Sequence, residues 1–284
     1  MALIPEFYMD AVVALGVEQQ TGQKKWCATG FLVGKKVDEN AYQIFLVTNK
    51  HVFQGEKHML VRLNLPHTTT AKDFSIDLIK DNGEKVYSEH PNNVVDVACV
   101  YINGAFVQKE LGGSICYFEL DSHTLTRKEM LENEIVEGSL VYTLGFPAGL
   151  VGVTTKAPLC RLGCISRIKD SVNIQGFLLD TQNFPGSSGS PVINRLETSF
   201  LEGSKPFNKT CLIGIIASYI PYEDTLVSSQ TGKVMQITQE NSGLAIAYSV
   251  DAIKEVIDLE IRRVEAIFAK QKDRNDEPND QSEN

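Results

Sequence analysis

Short apolar runs alternate with polar turns along the first hundred residues. Runs rich in β-branched and aromatic side chains recur about every ten residues, with Gly, Asn, Asp or Pro between them. This spacing is typical of an all-β barrel or sandwich. The pattern predicts strands at residues 11–18, 25–33, 42–48, 59–65, 74–79, 84–88 and 94–102. No helical period is evident in this half.

A polar, charged segment at residues 121–134 interrupts the pattern, and we interpret it as a link between two halves. Strands then resume at residues 139–144, 159–168, 174–179, 191–194, 211–219 and 243–249. The chain is therefore predicted to fold as two β-rich halves of similar size.

The period of the apolar positions changes after residue 249. Apolar side chains then recur at three- and four-residue steps, which predicts an amphipathic helix over 250–269. These positions are Val250, Ile253, Val256, Ile257, Ile261, Val264, Ile267 and Phe268. The following residues, 270–284, are almost devoid of apolar side chains and are predicted to be disordered.

Composition narrows the class of protein. The net charge of −9 over 284 residues argues against nucleic-acid binding. No apolar run approaches the roughly 18 residues of a membrane span, and the N-terminus does not resemble a signal peptide. We therefore expect a cytoplasmic protein with no membrane or nucleic-acid partner, and the oligomeric state stays open.

The six cysteines give no metal site. Cys160 and Cys164 form the only close pair, and no second Cys/His pair lies at zinc-binding spacing. No metal and no other cofactor is predicted. A disulfide between these two cysteines stays an alternative to two reduced thiols.

A glycine-flanked turn at residues 183–192 presents a serine between two apolar runs. Gly186 and Gly189 allow a sharp turn that can aim backbone N–H groups and a hydroxyl at the same space. Such a turn is a candidate oxyanion hole with its nucleophile. The alternative is an ordinary surface turn of Gly, Ser and Pro.

A nucleophilic serine needs a base and an acid that orients the base. Of the five histidines, only His51 ends an apolar strand, whereas His58, His67, His90 and His123 lie in polar contexts and are expected to be solvated. Asp96 is an acid in an otherwise apolar run, where a carboxylate needs a partner. The best rival for this role is Asp180, just before the serine turn, and Asp77 and Asp81 near turns are weaker candidates.

These motifs resemble those of trypsin-like peptidases. The resemblance rests on Ala-Thr-Gly-Phe at 28–31, Thr-Asn-Lys-His-Val at 48–52, Asp-Val-Ala-Cys-Val at 96–100 and Gly-Ser-Ser-Gly-Ser-Pro at 186–191. The order His51, Asp96, Ser188 is that of the chymotrypsin-type triad. The end of the second half, at 243–249 before the helix, is most similar to HtrA-type protease domains, although no PDZ-like domain follows.

The resemblance implies an all-β fold of two six-stranded antiparallel β-barrels with a C-terminal α-helix. The first barrel, residues 1–120, would carry His51 and Asp96. A linker at 121–137 would lead to the second barrel, 138–249, which would carry Ser188, and the helix and tail would follow. The implied activity is that of a serine endopeptidase. His51 would act as general base and acid, Asp96 would orient it, and the N–H groups of Gly186 and Ser188 would form the oxyanion hole.

The resemblance also implies a substrate pocket. Gln182, six residues before Ser188, would lie at its base and is uncharged, so an acidic pocket for Lys or Arg is not expected. Ala217, Ser218 and Tyr219 would line its edge and pair with a protein or peptide substrate by strand addition. A small or apolar substrate side chain is expected there.

One residue departs from the family pattern. Ser187 stands where the chymotrypsin branch has the aspartate that receives a newly cut N-terminus, so activation by that route is not expected. Two alternatives to a peptidase stay open. They are a catalytically silent trypsin-like fold that acts as a protein-binding module, and a non-peptidase acyl hydrolase with the same triad.

Overall fold

A computed structural model describes residues 3–39, 41–66, 68, 70–169, 176–196 and 207–276 of the chain. More of these residues lie in strands than in helices. The strands are β1 Val12–Glu18, β2 Lys24–Asp38, β3 Ala41–Thr48, β4 His58–Asn64, β5 Ala71–Asp77, β6 Ser88–Glu89, β7 Ala98–Ile102, β8 Phe118–Glu119, β9 Leu140–Gly145, β10 Leu159–Arg167, β11 Gly176–Asp180, β12 Pro191–Asn194, β13 Leu212–Val227 and β14 Val234–Ser249. The helices are α1 Glu6–Ala11, α2 Lys50–Phe53, α3 Gly104–Leu111, α4 Arg127–Glu132 and α5 Val250–Asp276, and a 3₁₀ turn spans Pro147–Gly149.

The first half forms one sheet and the second a closed barrel. The first sheet has the strand order β5-β4-β1-β2-β3-β7-β6, with β8 added parallel to β2. The barrel has the order β10-β11-β14-β13-β12-β9. This mostly β arrangement with a C-terminal helix is consistent with the predicted double barrel, although the first half has eight strands where six were expected.

A shared apolar core joins the two halves. One buried cluster contains Phe31 and Phe45 of the first half, Phe146 and Ile215 of the second, and the α5 residue Ile253. Helix α5 therefore packs its apolar stripe against the protein, as the sequence pattern predicts. The contact also includes a buried acid, because Glu260 accepts hydrogen bonds from the Tyr101 N–H (2.9 Å) and the Ser88 hydroxyl (2.7 Å).

The ends of several elements differ from the sequence predictions. Strands β13 and β14 continue past the predicted bounds as an exposed two-stranded ribbon over residues 220–227 and 234–241. Neither face of this ribbon is buried, so its sequence lacks the alternation from which strands were predicted. Helices α1, α2 and α3 lie in the half where no helical period was found, because four to eight residues are too few to show one.

The C-terminal helix is also longer than predicted, since it runs to Asp276 rather than ending at 269. Its last two turns are polar, so periodicity of apolar residues does not reveal them. Residues 277–284 of the predicted tail lie outside the described residues, as do residues 174–175 of the predicted strand at 174–179.

Candidate functional site

His51 lies just after strand β3, in the first turn of the short helix α2. The sequence placed it at the end of the strand itself; the backbone turns helical at Lys50 instead. The preceding Asn49 is fully buried and its side-chain amide donates to the Asp96 carbonyl at 2.7 Å. The His51 ring is thus held by a rigid strand end and faces the segment that carries Asp96.

Asp96 lies in the turn that precedes β7, not within a strand as predicted, because β7 begins at Ala98. Its carboxylate accepts a hydrogen bond from the His51 N–H at 3.1 Å and lies 2.5 Å from the His51 Nδ1. An ionised carboxylate can only accept, so Nδ1 carries a proton and the neutral ring keeps Nε2 as its acceptor. The structure therefore brings these two predicted residues together in the arrangement that a general base requires.

The pKa of the Asp96 carboxyl reflects this contact. Burial alone would raise the pKa, but the hydrogen bonds and charge of His51, with the Lys50 N–H, outweigh it and leave the pKa below its usual range. The carboxylate is 27% exposed and the imidazole 48% exposed. Asp96 therefore remains charged at neutral pH and can stabilise a protonated His51.

The Asp96 segment is fixed from both halves of the protein. Lys50 donates to the Asn92 carbonyl at 2.8 Å, and the Tyr248 hydroxyl, from the last strand of the barrel, donates to the Val94 carbonyl at 2.5 Å. The carboxylate is therefore positioned by several contacts around it. Tyr248 is not evident from the sequence as a site residue, since its side chain comes from a strand about 150 residues away.

The remaining histidines differ from expectation at one position. His90 is only 2% exposed and lies 2.8 Å from a carboxylate oxygen of Glu255 on α5, so the expectation that it is solvated was wrong. Local sequence does not reveal this contact, because Glu255 lies 165 residues further along the chain. His58 is exposed and pairs with Asp77, His123 is half-buried, and His67 lies outside the described residues.

The rivals of Asp96 are exposed. Asp77 is bound to His58, Asp81 lies in a turn, and Asp180 lies at the end of β11. Asp96 is the one of the four that contacts His51 in the described part of the chain.

The turn that carries Ser188 depends on two glycines with positive φ. Gly186 has φ +96° and a Cβ there would lie 2.4 Å from the Phe146 carbonyl oxygen. Gly189 has φ +84° and a Cβ there would lie 2.0 Å from the Thr29 carbonyl oxygen. Both distances are shorter than any contact a real Cβ makes, so no other residue fits this backbone without a shift. The sharp turn predicted from the sequence is therefore present.

The N–H groups on either side of Ser187 are unused. Within the described residues, no hydrogen bond involves the N–H of Gly186 or of Ser188. By contrast, the N–H groups of Ser187, Gly189 and Ser190 donate to the carbonyls of Phe184, Ile216 and Ser187. Buried backbone donors are nearly always paired. Two free donors two residues apart are what an oxyanion-binding turn requires.

Strand β2 connects the two parts of the candidate site. The Thr29 N–H donates to the Ser188 carbonyl at 3.0 Å, and the Thr48 hydroxyl donates to the Thr29 carbonyl at 2.8 Å. Since Thr48 is three residues before His51, the Ser188 turn and the His51 strand end are neighbours. No hydrogen bond joins the Ser188 hydroxyl to His51 among the described residues. In unliganded sites such bonds are often long and tighten only with substrate.

The predicted pocket residues lie beside the same turn. Gln182, Ser218 and Tyr219 are exposed and Ala217 is buried. Strand β12 pairs with β13 only as far as Ile215, so this edge of β13 lacks a strand neighbour at residues 217–219. The sequence placed these residues at a pocket edge, and the free strand edge is where an extended peptide could pair.

Three of the four buried side-chain polar atoms without a partner in the described chain flank the site. They are Asn49 Oδ1, Thr181 Oγ1 and Asn183 Oδ1. Unsatisfied buried groups are rare in folded proteins and concentrate where function requires them.

The cysteines are all free thiols, so no disulfide joins Cys160 and Cys164. Both lie on β10 facing β9, Cys160 opposite Leu144 and Cys164 opposite Leu140. The described residues contain no group of three His, Cys, Asp or Glu that could hold a metal ion. None of the described helices is long and apolar enough to cross a membrane.

Comparisons with known proteins add to this geometry. The chain matches the family model described as a trypsin-like peptidase domain over residues 28–199, which include His51, Asp96 and Ser188. Among solved structures, it is similar to the MamO protease domain from Magnetospirillum magneticum (apo form). The identity is 16%, the TM-score 0.44, and the match covers 87% of this chain and 96% of that one. A search of curated proteins gave no match.

Proposed function

Because the chain belongs to the trypsin-like peptidase family, whose model matches more than half of its length, we propose that it is a serine endopeptidase. The observation that carries this proposal is the pair of hydrogen bonds between His51 and Asp96, which leaves Nε2 of His51 as an acceptor. That geometry supplies a base of defined tautomer, which a serine nucleophile requires.

The proposed reaction forms and then breaks an acyl-enzyme. The Ser188 Oγ attacks the scissile carbonyl carbon while Nε2 of His51 takes its proton. The N–H groups of Gly186 and Ser188 donate to the oxyanion of the tetrahedral intermediate. His51 then gives the proton to the leaving amine, and a water attacks the acyl group by the same path in reverse. The Asp96 carboxylate stays ionised and stabilises the imidazolium throughout.

The proposed substrate is an extended protein or peptide segment. It would pair with the free edge of β13 at residues 217–219. This edge follows Ile216, whose carbonyl accepts the Gly189 N–H of the Ser188 turn. Gln182 and Tyr219 beside this edge are uncharged. A small or apolar side chain before the cleaved bond is the expected preference. Cytoplasmic location stays a prediction from the sequence, as does likeness to the HtrA-type branch.

A silent protein-binding module is the second candidate. The missing hydrogen bond between Ser188 and His51 in the described structure favours it, since a geometry that never closes would leave the triad inactive. The third, an acyl hydrolase, would use the same residues on an ester. The acyl-hydrolase candidate does not explain the free strand edge beside the turn as directly as a peptidase does.

A peptide-library cleavage assay tests the proposal. The wild type should cut a subset of peptides after small or apolar residues, and the variant Ser188→Ala should cut none. Cleavage products common to both proteins would point to a contaminating protease. No cleavage by the wild type, with turnover of activated esters only, would favour the acyl-hydrolase alternative. No turnover of either substrate would favour the binding module.

A further inference from the structure

Four consecutive carbonyls of the Ser188 turn are hydrogen-bonded inside the protein. They are those of Pro185, bound by the Ala148 N–H at 2.6 Å; Gly186, by the Thr29 hydroxyl at 2.7 Å; Ser187, by the Ser190 N–H at 3.0 Å; and Ser188, by the Thr29 N–H at 3.0 Å. Two of these four come from one residue, which lies in the other half of the protein. The shape of the turn therefore depends on strand β2.

The Thr29 hydroxyl is the only side chain among these four donors. It is fully buried, and it accepts the Phe146 N–H at 3.0 Å while it donates to the Gly186 carbonyl. A hydroxyl group donates one hydrogen bond and can accept others. Because the Thr29 oxygen already accepts the Phe146 N–H, its own proton is directed at the Gly186 carbonyl. Strand β2 thus holds the peptide unit between Gly186 and Ser187 at a defined orientation.

This contact matters because glycine leaves the peptide free to rotate. Gly186 has φ +96° and no Cβ to restrict the backbone on either side. The peptide between Gly186 and Ser187 joins the two peptides that carry the Gly186 and Ser188 N–H groups. Reorienting this middle peptide would change the angle between those two N–H groups, so they would no longer converge on one oxyanion. Ser187 adds no charge at the next position. An ion pair through that side chain is therefore not what restrains the turn.

We propose that Thr29 is a positioning residue for the oxyanion hole: its hydroxyl restrains the Gly186 carbonyl so that the N–H groups of Gly186 and Ser188 stay available to an anion. The inference rests on the proposed function of Ser188, because it concerns the same site. It extends that function by naming a residue of the first half that acts on the second half through a hydrogen bond.

A pair of variants that differ by one oxygen tests the inference. Thr29→Ser and Thr29→Ala both lose the methyl group, and only the first keeps the hydroxyl. The rate of labelling at Ser188 by a fluorophosphonate probe is expected to fall by about 10- to 100-fold in Thr29→Ala, less than the roughly 10²–10³-fold cost of deleting an oxyanion donor. The Thr29→Ser variant should recover to within about three-fold of wild type. With a cleaved peptide, the loss should lie in kcat rather than KM, as expected for a contact that matters in the transition state.

Thr124→Ala is the matched control. Its hydroxyl is also buried and donates to a backbone carbonyl, that of Leu120, at 2.6 Å, but on the link between the halves. Thr124→Ala should lower the free energy of unfolding about as much as Thr29→Ala does. Its Ser188 should nevertheless react with the probe at the wild-type rate. If both variants slow labelling in proportion to their loss of stability, or if Thr29→Ala labels like wild type, the inference is wrong.

Amide hydrogen exchange provides a second measurement that does not depend on enzymatic activity. Amides of peptides covering residues 184–190 should exchange faster in Thr29→Ala than in Thr29→Ser, wild type and Thr124→Ala. Unchanged exchange in Thr29→Ala overturns the positioning role. A third outcome is faster exchange in Thr29→Ala together with a wild type that is never labelled at Ser188. That result would support the positioning role and contradict the proposed peptidase function.

Discussion

The two halves contribute to the candidate site in different ways. The first half supplies side chains, the His51 imidazole and Asp96 carboxylate, which are joined directly and partly exposed. The second half supplies main-chain groups on the Ser188 turn, whose shape depends on bonds to neighbouring segments. Substitutions on the first side are therefore expected to change the chemistry with little effect on the fold. Substitutions around the turn should change its shape.

The largest effect is expected at the carboxylate. Asp96→Asn should lower kcat on the order of 10⁴-fold because the amide can donate to Nδ1, favouring the ring tautomer that cannot take the Ser188 proton. The thermal midpoint should change little, since the shape is kept. Asp77→Asn is the matched control, because it alters an exposed His–Asp pair at 2.8 Å. Its kcat should stay within two-fold of wild type. A decrease in kcat of less than ten-fold in Asp96→Asn would contradict the role proposed for the Asp96 carboxylate.

The next effect is expected at the turn. Gly186→Ala places a Cβ 2.4 Å from the Phe146 carbonyl at φ +96°, so the turn must shift. We expect a loss of about 10²–10³-fold in kcat, comparable to the loss of an oxyanion donor. Gly232→Ala is the control, because that glycine also has positive φ (+64°) but nothing lies within 4 Å of an added Cβ. It should cost about 1 kcal/mol of stability and no activity. Equal activity of both variants would contradict a defined turn shape.

The sequence predicted the fold well where local signals were strong. Strand spacing and the change of period after residue 249 indicated the strands and the helix. The residues around the site were less predictable. Thr29 donates hydrogen bonds to the turn, and Tyr248 donates one to Val94. These contacts join positions up to about 160 residues apart, and a single sequence carries no signal of which distant residues meet.

The same limit explains the errors. The burial of His90 depends on Glu255 from a distant helix, and the extended ribbon depends on pairing between β13 and β14 rather than on buried alternation. By contrast, the turn at 183–192 was identified from its own glycines. Gly186 and Gly189 have positive φ, a backbone conformation that glycine itself favours, so the local sequence indicates it. Local backbone chemistry was therefore readable, and long-range side-chain contacts were not.

The smallest effect on activity is expected far from the site, and it also yields a pH test. Lys156 is wholly buried, and its ammonium donates to the carbonyls of Asp10 at 2.7 Å and Met9 at 3.2 Å. Burial, with a partial offset from Asp10, lowers the pKa of Lys156 to about 8. Lys156 anchors the loop that follows the 3₁₀ turn, and that turn is hydrogen-bonded to Pro185. Because Lys156 acts on the site only through these segments, replacing it should reduce kcat by no more than a few-fold.

The sign of the pH effect follows from linkage. The unfolded lysine has a pKa of 10.5, so between about pH 8 and 10.5 the unfolded state binds more protons and the free energy of unfolding rises with pH. The slope reaches at most about 1.4 kcal/mol per pH unit. Lys156→Met has no such group, so the wild type should gain stability relative to the variant as pH increases over this range. Urea unfolding at pH 7.5, 8.5 and 9.5 measures the difference. Parallel curves would contradict the buried cation.

Covalent labelling by a fluorophosphonate probe, followed by peptide mapping of the labelled residue, tests the proposed serine chemistry most directly. One adduct is expected on Ser188, with none in Ser188→Ala and much slower labelling in Asp96→Asn. A wild-type protein that carries no adduct at Ser188 at any probe concentration tested, while remaining folded, would contradict the claim that this chain is a serine peptidase.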